Sequence, residues 1–420
     1  MMTTDQYNLV HITTSGEYKT PLVASQLFDQ AECQAVSRQG FAPHKVEAWI
    51  IGAMREYVDN ASKTKINGLR KRCPHISIRA IHGISRLKQM PIMHLMKWYR
   101  KKLGANIPVI YHCRGEDAAQ WAVLLKQSFP QDRVILDVRG YWPAETIYNK
   151  GIEDPADATG AHLDEYKRAY TKLKNIVSKV DAVTTVSTAL KDLLVKEMSA
   201  PIDTSVVPCC VTHITDDSRR NEIRKEWGIK DDEIVLVYSG GTAVYQHLED
   251  LTIPFLKKLI EKNNKVRLAF LSAELEKIKT MLHAAGITKE DIILKSFPQT
   301  AVGAALTACD VGILIRKPTL VNRVANPVKI AEYLAAGLPL IIEKGVGGVA
   351  DILFQRSLLK GIEIASPESD LMAAVQDTDR WLEENIKEKR PLVREYAKEV
   401  YLWSSAIQVS RKMYKAALDK

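Results

Sequence analysis

The sequence predicts an α/β protein built on two parallel sheets, and three observations carry that expectation. Strand-like apolar runs alternate with helical ones from end to end, the pattern of a parallel sheet covered on both faces. The alternation stops once, in a polar stretch rich in Asp and Arg after Pro208, and resumes near Asp232. A chain of 420 residues with 46% hydrophobic content has enough apolar material for two cores. The expected division is residues 1–208 as a first domain, 209–232 as a hinge and 233–390 as a second domain. A last helix at 391–420 is expected to cross back onto the first domain.

The first series of strands is expected at Leu9–Thr13, Val46–Ile51, Ile76–Ile81, Val109–His112, Val134–Val138, Ala182–Val186 and Ser205–Val207. Apolar residues spaced by three and four mark helices between most of them. Asp154 to Lys179 is charged and helical in pattern. The second series is expected at Ile234–Tyr238, Val266–Leu271, Ile292–Leu294, Val311–Ile315, Leu338–Ile342 and Ile362–Ile364. Pro391 to Leu418 reads as one helix, with Tyr396, Trp403, Ile407, Met413 and Tyr414 to bury and no strand after it.

The net charge of +9 is unevenly spread. Between Arg55 and Lys102 thirteen Lys or Arg stand against Glu56 and Asp59, so 13 − 2 = +11, more than the whole chain carries. Met90 to Lys102 interleaves apolar and aromatic side chains with cations, which suits an anionic membrane surface. A basic helix whose apolar side packs inward fits the same pattern. Nucleic acid is the competing partner, but no nucleic-acid motif accompanies the charge. The six cysteines show no CxxC spacing and read as reduced thiols. No basic-then-apolar leader is visible, and no apolar run approaches the ~20 residues that cross a bilayer. The expectation is a cytoplasmic protein, at most peripheral on the inner face of a membrane.

The most informative stretch runs from Asn326 to Ile342. Asn326 can cap a helix, Pro327 suits its first turn, and Gly337 stops it before the next strand. Free N–H groups at Val328 and Lys329 can hold a phosphate, and Lys329 adds a cation. Glu332 lies one turn on, where a carboxylate can accept two hydrogen bonds from a vicinal diol such as a ribose. An ordinary surface ion pair between Lys329 and Glu332 is the plain alternative.

Other candidates stand at strand ends, where open parallel sheets bind ligands. The first strand of the second series runs into Gly240, Gly241 and Thr242, glycines that let backbone approach a ligand, or that form a simple turn. Arg316 and Lys317 follow a later strand and can neutralise a diphosphate. In the first half, Arg114 and Arg139 each precede a glycine at a strand end, with Asp137 inside its strand and Glu145 nearby. A buried Asp137 needs a partner, so Arg139 either pairs with it or, with it, orients an acceptor hydroxyl. Gly16 sits in a small-residue loop that reads equally as a tight turn or as part of a site. No HExxH, Walker motif or metal-ligand spacing of histidines is present. Asp377 and Asp379 fall in a helical stretch and read as surface charge.

Three pieces of the second half, VLVYSGG, CDVGIL and NPVKIAEYLAAGLPLII, together with VILDVRGYWPAE and VPCCVT in the first half, resemble the retaining glycosyltransferases of family 4, bacterial cell-envelope type. The resemblance implies the GT-B fold, two Rossmann-like parallel-sheet domains facing a central cleft, acceptor-binding first and donor-binding second. It implies sugar transfer from a nucleotide diphosphate sugar to a hydroxyl acceptor, lipid-linked or on a surface glycan, with retention and with neither cofactor nor metal. The resemblance implies Glu332 on the ribose, the backbone from Asn326 to Lys329 at the phosphate and donor sugar, and Phe297 against the base. Taken with the strand-end readings, the donor set is Gly240, Gly241, Thr242, Phe297, Arg316, Lys317, Asn326, Lys329 and Glu332, the acceptor set Gly16, Arg114, Arg139 and Glu145, and the catalytic set Asp137 (a possible base), Arg139 and Glu332. Two positions depart from the family: Val324 stands where many members carry a first glutamate, and TAVYQHLED lacks the basic pair that often follows the glycine turn. UDP-N-acetylglucosamine 2-epimerases share the architecture, and a catalytically silent sugar-nucleotide-binding partner subunit is a further alternative.

Overall fold

The computed structural model describes residues 6–16, 23–53, 59–83, 90–198, 204–287, 292–347, 358–366, 369–384 and 386–420. They divide into two compact units. One comprises Met1–Pro143, Leu163–Thr212 and Trp403–Lys420, the other Ala144–His162 and His213–Leu402.

The first unit holds a parallel sheet of seven strands: β1 (Asn8–Thr14), β2 (Lys45–Ala53), β3 (Ser77–Gly83), β4 (Val109–Arg114), β5 (Arg133–Val138), β6 (Ala182–Thr185) and β7 (Thr204–Val206). Their order is 3-2-1-4-5-6-7. Every residue of β4 is buried, as a strand covered on both faces requires. Leu9, Ile50, Ile110 and Ile135 pack with Met413 and Tyr414 of the helix Trp403–Leu418. Arg411 of that helix is buried and donates to Oε1 of Gln34 (2.8 Å) and to the carbonyls of Gln34 and Ser37 (3.1 and 2.9 Å).

The second unit holds a parallel sheet of six: β8 (Ile234–Ser239), β9 (Val266–Leu271), β10 (Ile292–Lys295), β11 (Val311–Leu314), β12 (Leu340–Glu343) and β13 (Leu359–Ile362), in the order 10-9-8-11-12-13. Both sheets thus reverse direction beside their first strand, between β1 and β4 and between β8 and β11. Such a reversal leaves a crevice beyond the carboxyl ends of the two strands.

Three details differ from the sequence reading. The expected single helix at 391–418 is two: Ile386–Val400 packs in the second unit, and Trp403–Leu418 packs in the first. Each buries its own apolar face, and the chain turns over Tyr401 and Leu402 without a Gly or Pro to announce it. The stretch expected as a hinge at 209–232 carries the helix Arg220–Glu226, whose Arg220 and Arg224 both bind Asp310 (2.6 and 3.1 Å). Strand β13 lies at Leu359–Ile362 rather than 362–364, since the Glu343 carboxylate accepts the N–H groups of Ile364 and Ala365 (3.0 and 3.3 Å) and ends the ladder there. No helix among the described residues is long and apolar enough to cross a membrane.

The basic segment is partly spent on structure. Arg72 pairs with Asp29, Arg79 with Glu47 and the fully buried Arg100 with Asp132. Lys101 and Lys102 stay exposed beside Trp98, which is 49% exposed with Lys102 Nζ 3.5 Å from its ring centre. Arg55 and the residues 84–89 lie outside the described residues.

Candidate functional site

Most of the predicted donor residues gather at the crevice between β8 and β11. Strand β8 ends in Ser239 and runs into Gly240, whose φ is +142°. A Cβ on Gly240 would stand 2.9 Å from Lys329 Nζ, and one on Gly241 would stand 2.7 Å from Glu274 Oε2. At Gly240 the positive φ favours glycine, and at both positions a side chain would push aside the end of Lys329 or Glu274. Glu274 accepts the Thr242 N–H (2.6 Å) and its hydroxyl (3.2 Å), which fixes the turn and commits Thr242 to it.

The helix Val328–Ala335 opens on the other side of the crevice. Pro327, not Asn326, occupies the cap position, with extended backbone and no side-chain cap bond. The backbone of Pro327 is extended, so the helix begins one residue later than expected, with the N–H groups of Val328 and Lys329 at its start as the sequence reading placed them. It ends as the sequence predicts. Gly337 has φ +80°, its N–H donates to Leu334 O (3.0 Å), and Leu338 N–H donates to Tyr333 O (2.9 Å), the paired bonds of a left-handed glycine stop. Tyr333 crosses under β11, where a Cβ on Gly312 would meet its ring at 2.5 Å.

Arg316, two residues beyond β11, and Lys329 are both buried. Arg316 Nη2 and Lys329 Nζ donate to one acceptor, Gln246 Oε1, at 2.8 and 3.1 Å. Lys329 Nζ also lies 4.1 Å from the Tyr238 ring centre, and the Arg316 guanidinium lies 5.3 Å from that of Tyr245. Neither cation forms an ion pair with a carboxylate among the described residues. Burial, then Arg316, push the Lys329 ammonium well below the usual lysine value, with Glu332 opposing. Burial also lowers Arg316. Enclosed cations without an acid are costly unless an anion joins them. Glu332 is half-buried, burial raises its carboxyl against the pull of Lys329, and its carboxylate makes no hydrogen bond among the described residues. The plain surface ion pair is therefore not what forms here.

Other predicted residues fall differently. Lys317 is half-exposed and paired with Glu153, so it stands apart from the buried cations. Asn326 is buried, and Phe297 is half-buried with its ring 6.1 Å from that of Trp227. Val324 is buried, and Asn322 spends its amide on Tyr245 O and Lys317 O (3.2 and 2.9 Å). Gln246, inside the segment TAVYQHLED that follows the glycine turn, proves central.

In the first unit the pairing alternative for Asp137 and Arg139 is the one that forms. Asp137 is buried, accepts the Thr184 hydroxyl (2.8 Å) and pairs with Arg139 Nε at 3.1 Å. Burial would raise its carboxyl, yet Arg139, His112 and Arg114 hold it well below the usual carboxylate range. A carboxylate so enclosed and so weakly basic does not suit a general base. Arg139 is equally committed, donating to Val207 O (3.0 Å). Arg114 is buried at the start of the helix Gly115–Lys126, and Gly16 is exposed with open space around it. Glu145 is half-buried in the helix Trp142–Tyr148 and belongs to the second unit.

Comparison with known proteins agrees with this architecture. A family model described as Glycosyl transferases group 1 matches residues 219–400, inside the main segment of the second unit. No curated protein sequence matches the chain. Among solved structures, a glycosyltransferase from Rickettsia africae is similar with TM-score 0.67 at 14% identity, over 99% of each chain. Sucrose-phosphate synthase from Thermosynechococcus elongatus gives 0.66 at 15%, over 99% of this chain and 100% of that one. HepE of Anabaena, solved with UDP-glucose, gives 0.64 at 12%, over 98% of this chain and 100% of that one. The chain thus has the GT-B fold of two parallel-sheet α/β units, and its second unit matches the glycosyl transferases of group 1.

Proposed function

We propose that the protein transfers a sugar from a nucleotide diphosphate sugar, with UDP as the carrier, to a hydroxyl acceptor with retention of configuration. One observation carries the reading. Arg316 and Lys329 lie buried beside a helix start without an acid partner, and Glu332 waits one turn on with its carboxylate unbonded. The cations and helix N–H groups would hold the diphosphate, and Glu332 the ribose diol. Gly240 and Gly241 would let backbone approach the phosphates, and Phe297 would lie against the base. The family match over residues 219–400 supports the reaction class, and the UDP-glucose complex of HepE supports UDP.

The leaving group is a diphosphate, so stabilising its developing charge is the main catalytic task. Arg316 and Lys329 would supply that charge without a divalent metal. In a retaining transfer the acceptor attacks the face that the diphosphate leaves, and a diphosphate oxygen takes the acceptor's proton. This route needs no strong protein base, which suits the commitment of Asp137 to Arg139. The acceptor would be lipid-linked or an envelope glycan at the inner face of a membrane, a reading supported by exposed Trp98, Lys101 and Lys102. Loss of anionic-liposome binding on replacing Lys97, Lys101 and Lys102 by Gln tests that part. Arg114 and Gly16 remain the proposed acceptor contacts.

Titration with UDP, GDP, ADP and CMP, with and without chelator, tests the donor. UDP binding that survives chelation is the expected result, and no binding of any nucleotide overturns it. A second reading, a silent sugar-nucleotide-binding subunit, is favoured by one observation, Val324 at the family's glutamate position. Binding of UDP-sugar with neither transfer nor hydrolysis in the presence of envelope extract would support it.

A further inference from the structure

Two cations converging on one neutral amide are poorly matched in charge. A diphosphate oxygen would answer them better. The rest of Gln246 shows how the exchange could occur. Its Nε2 makes no hydrogen bond among the described residues, so only Arg316 and Lys329 hold the side chain. Its backbone, by contrast, is fixed. The Gln246 N–H donates to Ala243 O (2.8 Å), and the next residue, His247, has φ +49°, the sole positive φ outside glycine among the described residues. Such a backbone persists only where its surroundings enforce it. Here both ring nitrogens are engaged, Nδ1 with Asp250 Oδ2 and Nε2 with the Tyr148 hydroxyl, each at 2.8 Å.

We infer that Gln246 is a stand-in for the ligand, its amide oxygen holding the place that a diphosphate oxygen takes when the donor binds. The side chain yields to the diphosphate while the His247 clamp keeps the loop in place. Gln246 is thus a positioning residue, keeping Arg316 and Lys329 together and in competition with the donor. The inference rests on the diphosphate reading of this site.

The test measures UDP and inorganic pyrophosphate on full-length wild type, Gln246→Glu and Gln246→Ala, by calorimetry and thermal shift. A carboxylate at 246 would pair with both cations permanently, offsetting one of their two positive charges in the place the diphosphate would take. Gln246→Glu should therefore raise the ligand-free Tm and weaken UDP and pyrophosphate alike by about tenfold or more. Gln246→Ala should lower the ligand-free Tm, and UDP should raise it by a larger margin than in wild type. A merely structural glutamine would lose stability and affinity together in both variants, and that outcome overturns the inference. So does a Gln246→Glu affinity within about twofold of wild type, while wild-type UDP binding keeps the donor reading. Failure of wild type to bind either ligand defeats both.

Discussion

The hydroxyl of Tyr333 accepts the N–H of Ser239 at 2.7 Å. This bond ties the helix that carries Lys329 and Glu332 to the end of β8, where the glycine turn begins. Gly312 makes it possible, since any side chain there would strike the Tyr333 ring. The spacing between cation, carboxylate and glycine turn is therefore set by a residue on the same helix as Lys329 and Glu332 that reaches back to the end of β8.

Removing the support should loosen the site without touching it. Tyr333→Phe strands the Ser239 N–H and should cost about 1–3 kcal/mol. Gly312→Ala overpacks the same spot and should cost about 1–3 kcal/mol. Urea unfolding measures both losses, and UDP affinity should fall in each variant although neither residue belongs to the proposed donor contacts.

Glu332→Ala should behave in the opposite way. The carboxylate supports nothing in the fold, so stability should stay within about 0.5 kcal/mol of wild type. UDP affinity should drop about ten- to a hundredfold, the worth of charge-assisted bonds to a ribose. Calorimetry with UDP and with pyrophosphate separates the roles, because pyrophosphate has no ribose to lose.

Lys329 links stability to pH. Its ammonium is held well below the usual lysine value in the folded chain, by burial and then by Arg316. Between the folded value and the ordinary ~10.4, the unfolded chain binds more protons, so this residue adds stability as pH rises through that window and withdraws it as pH falls. Lys329→Met removes the effect. The variant should melt higher than wild type at pH 7, the gap should narrow toward pH 10, and UDP binding should be lost. Thermal melts across that range decide it.

Asp137→Asn distinguishes structure from chemistry in the first unit. Removing one member of a buried pair leaves Arg139 enclosed without its counter-charge, at a cost of about 3–5 kcal/mol. Turnover per folded molecule should hold near wild type. A catalytic base would give the reverse, intact stability with a rate loss of about 10²–10⁴.

Much of this was legible in the residues themselves. Apolar runs bounded by turns located the strands of both sheets, because strands buried on both faces leave an unbroken apolar signature. Lys329, Glu332 and the glycine turn were legible because helix and turn signals place them within a few residues of a strand end. Gln246 was not: a neutral amide carries no charge signature, and its partners Arg316 and Lys329 lie 70 and 83 residues away. For Asp137 the sequence left two readings open, because a strand-end aspartate looks the same whether a partner arginine neutralises it or leaves it free. The break at Tyr401–Leu402 was invisible because competing cores, not local propensity, cause it.

The helix Trp403–Leu418 fills the core of the first sheet with Met413 and Tyr414. During synthesis that sheet must wait, its apolar floor uncovered, until the ribosome has passed residue 418 and the entire second unit has emerged. The second unit can mature first although it is encoded later, and a nascent chain stalled near residue 400 should be an avid chaperone client.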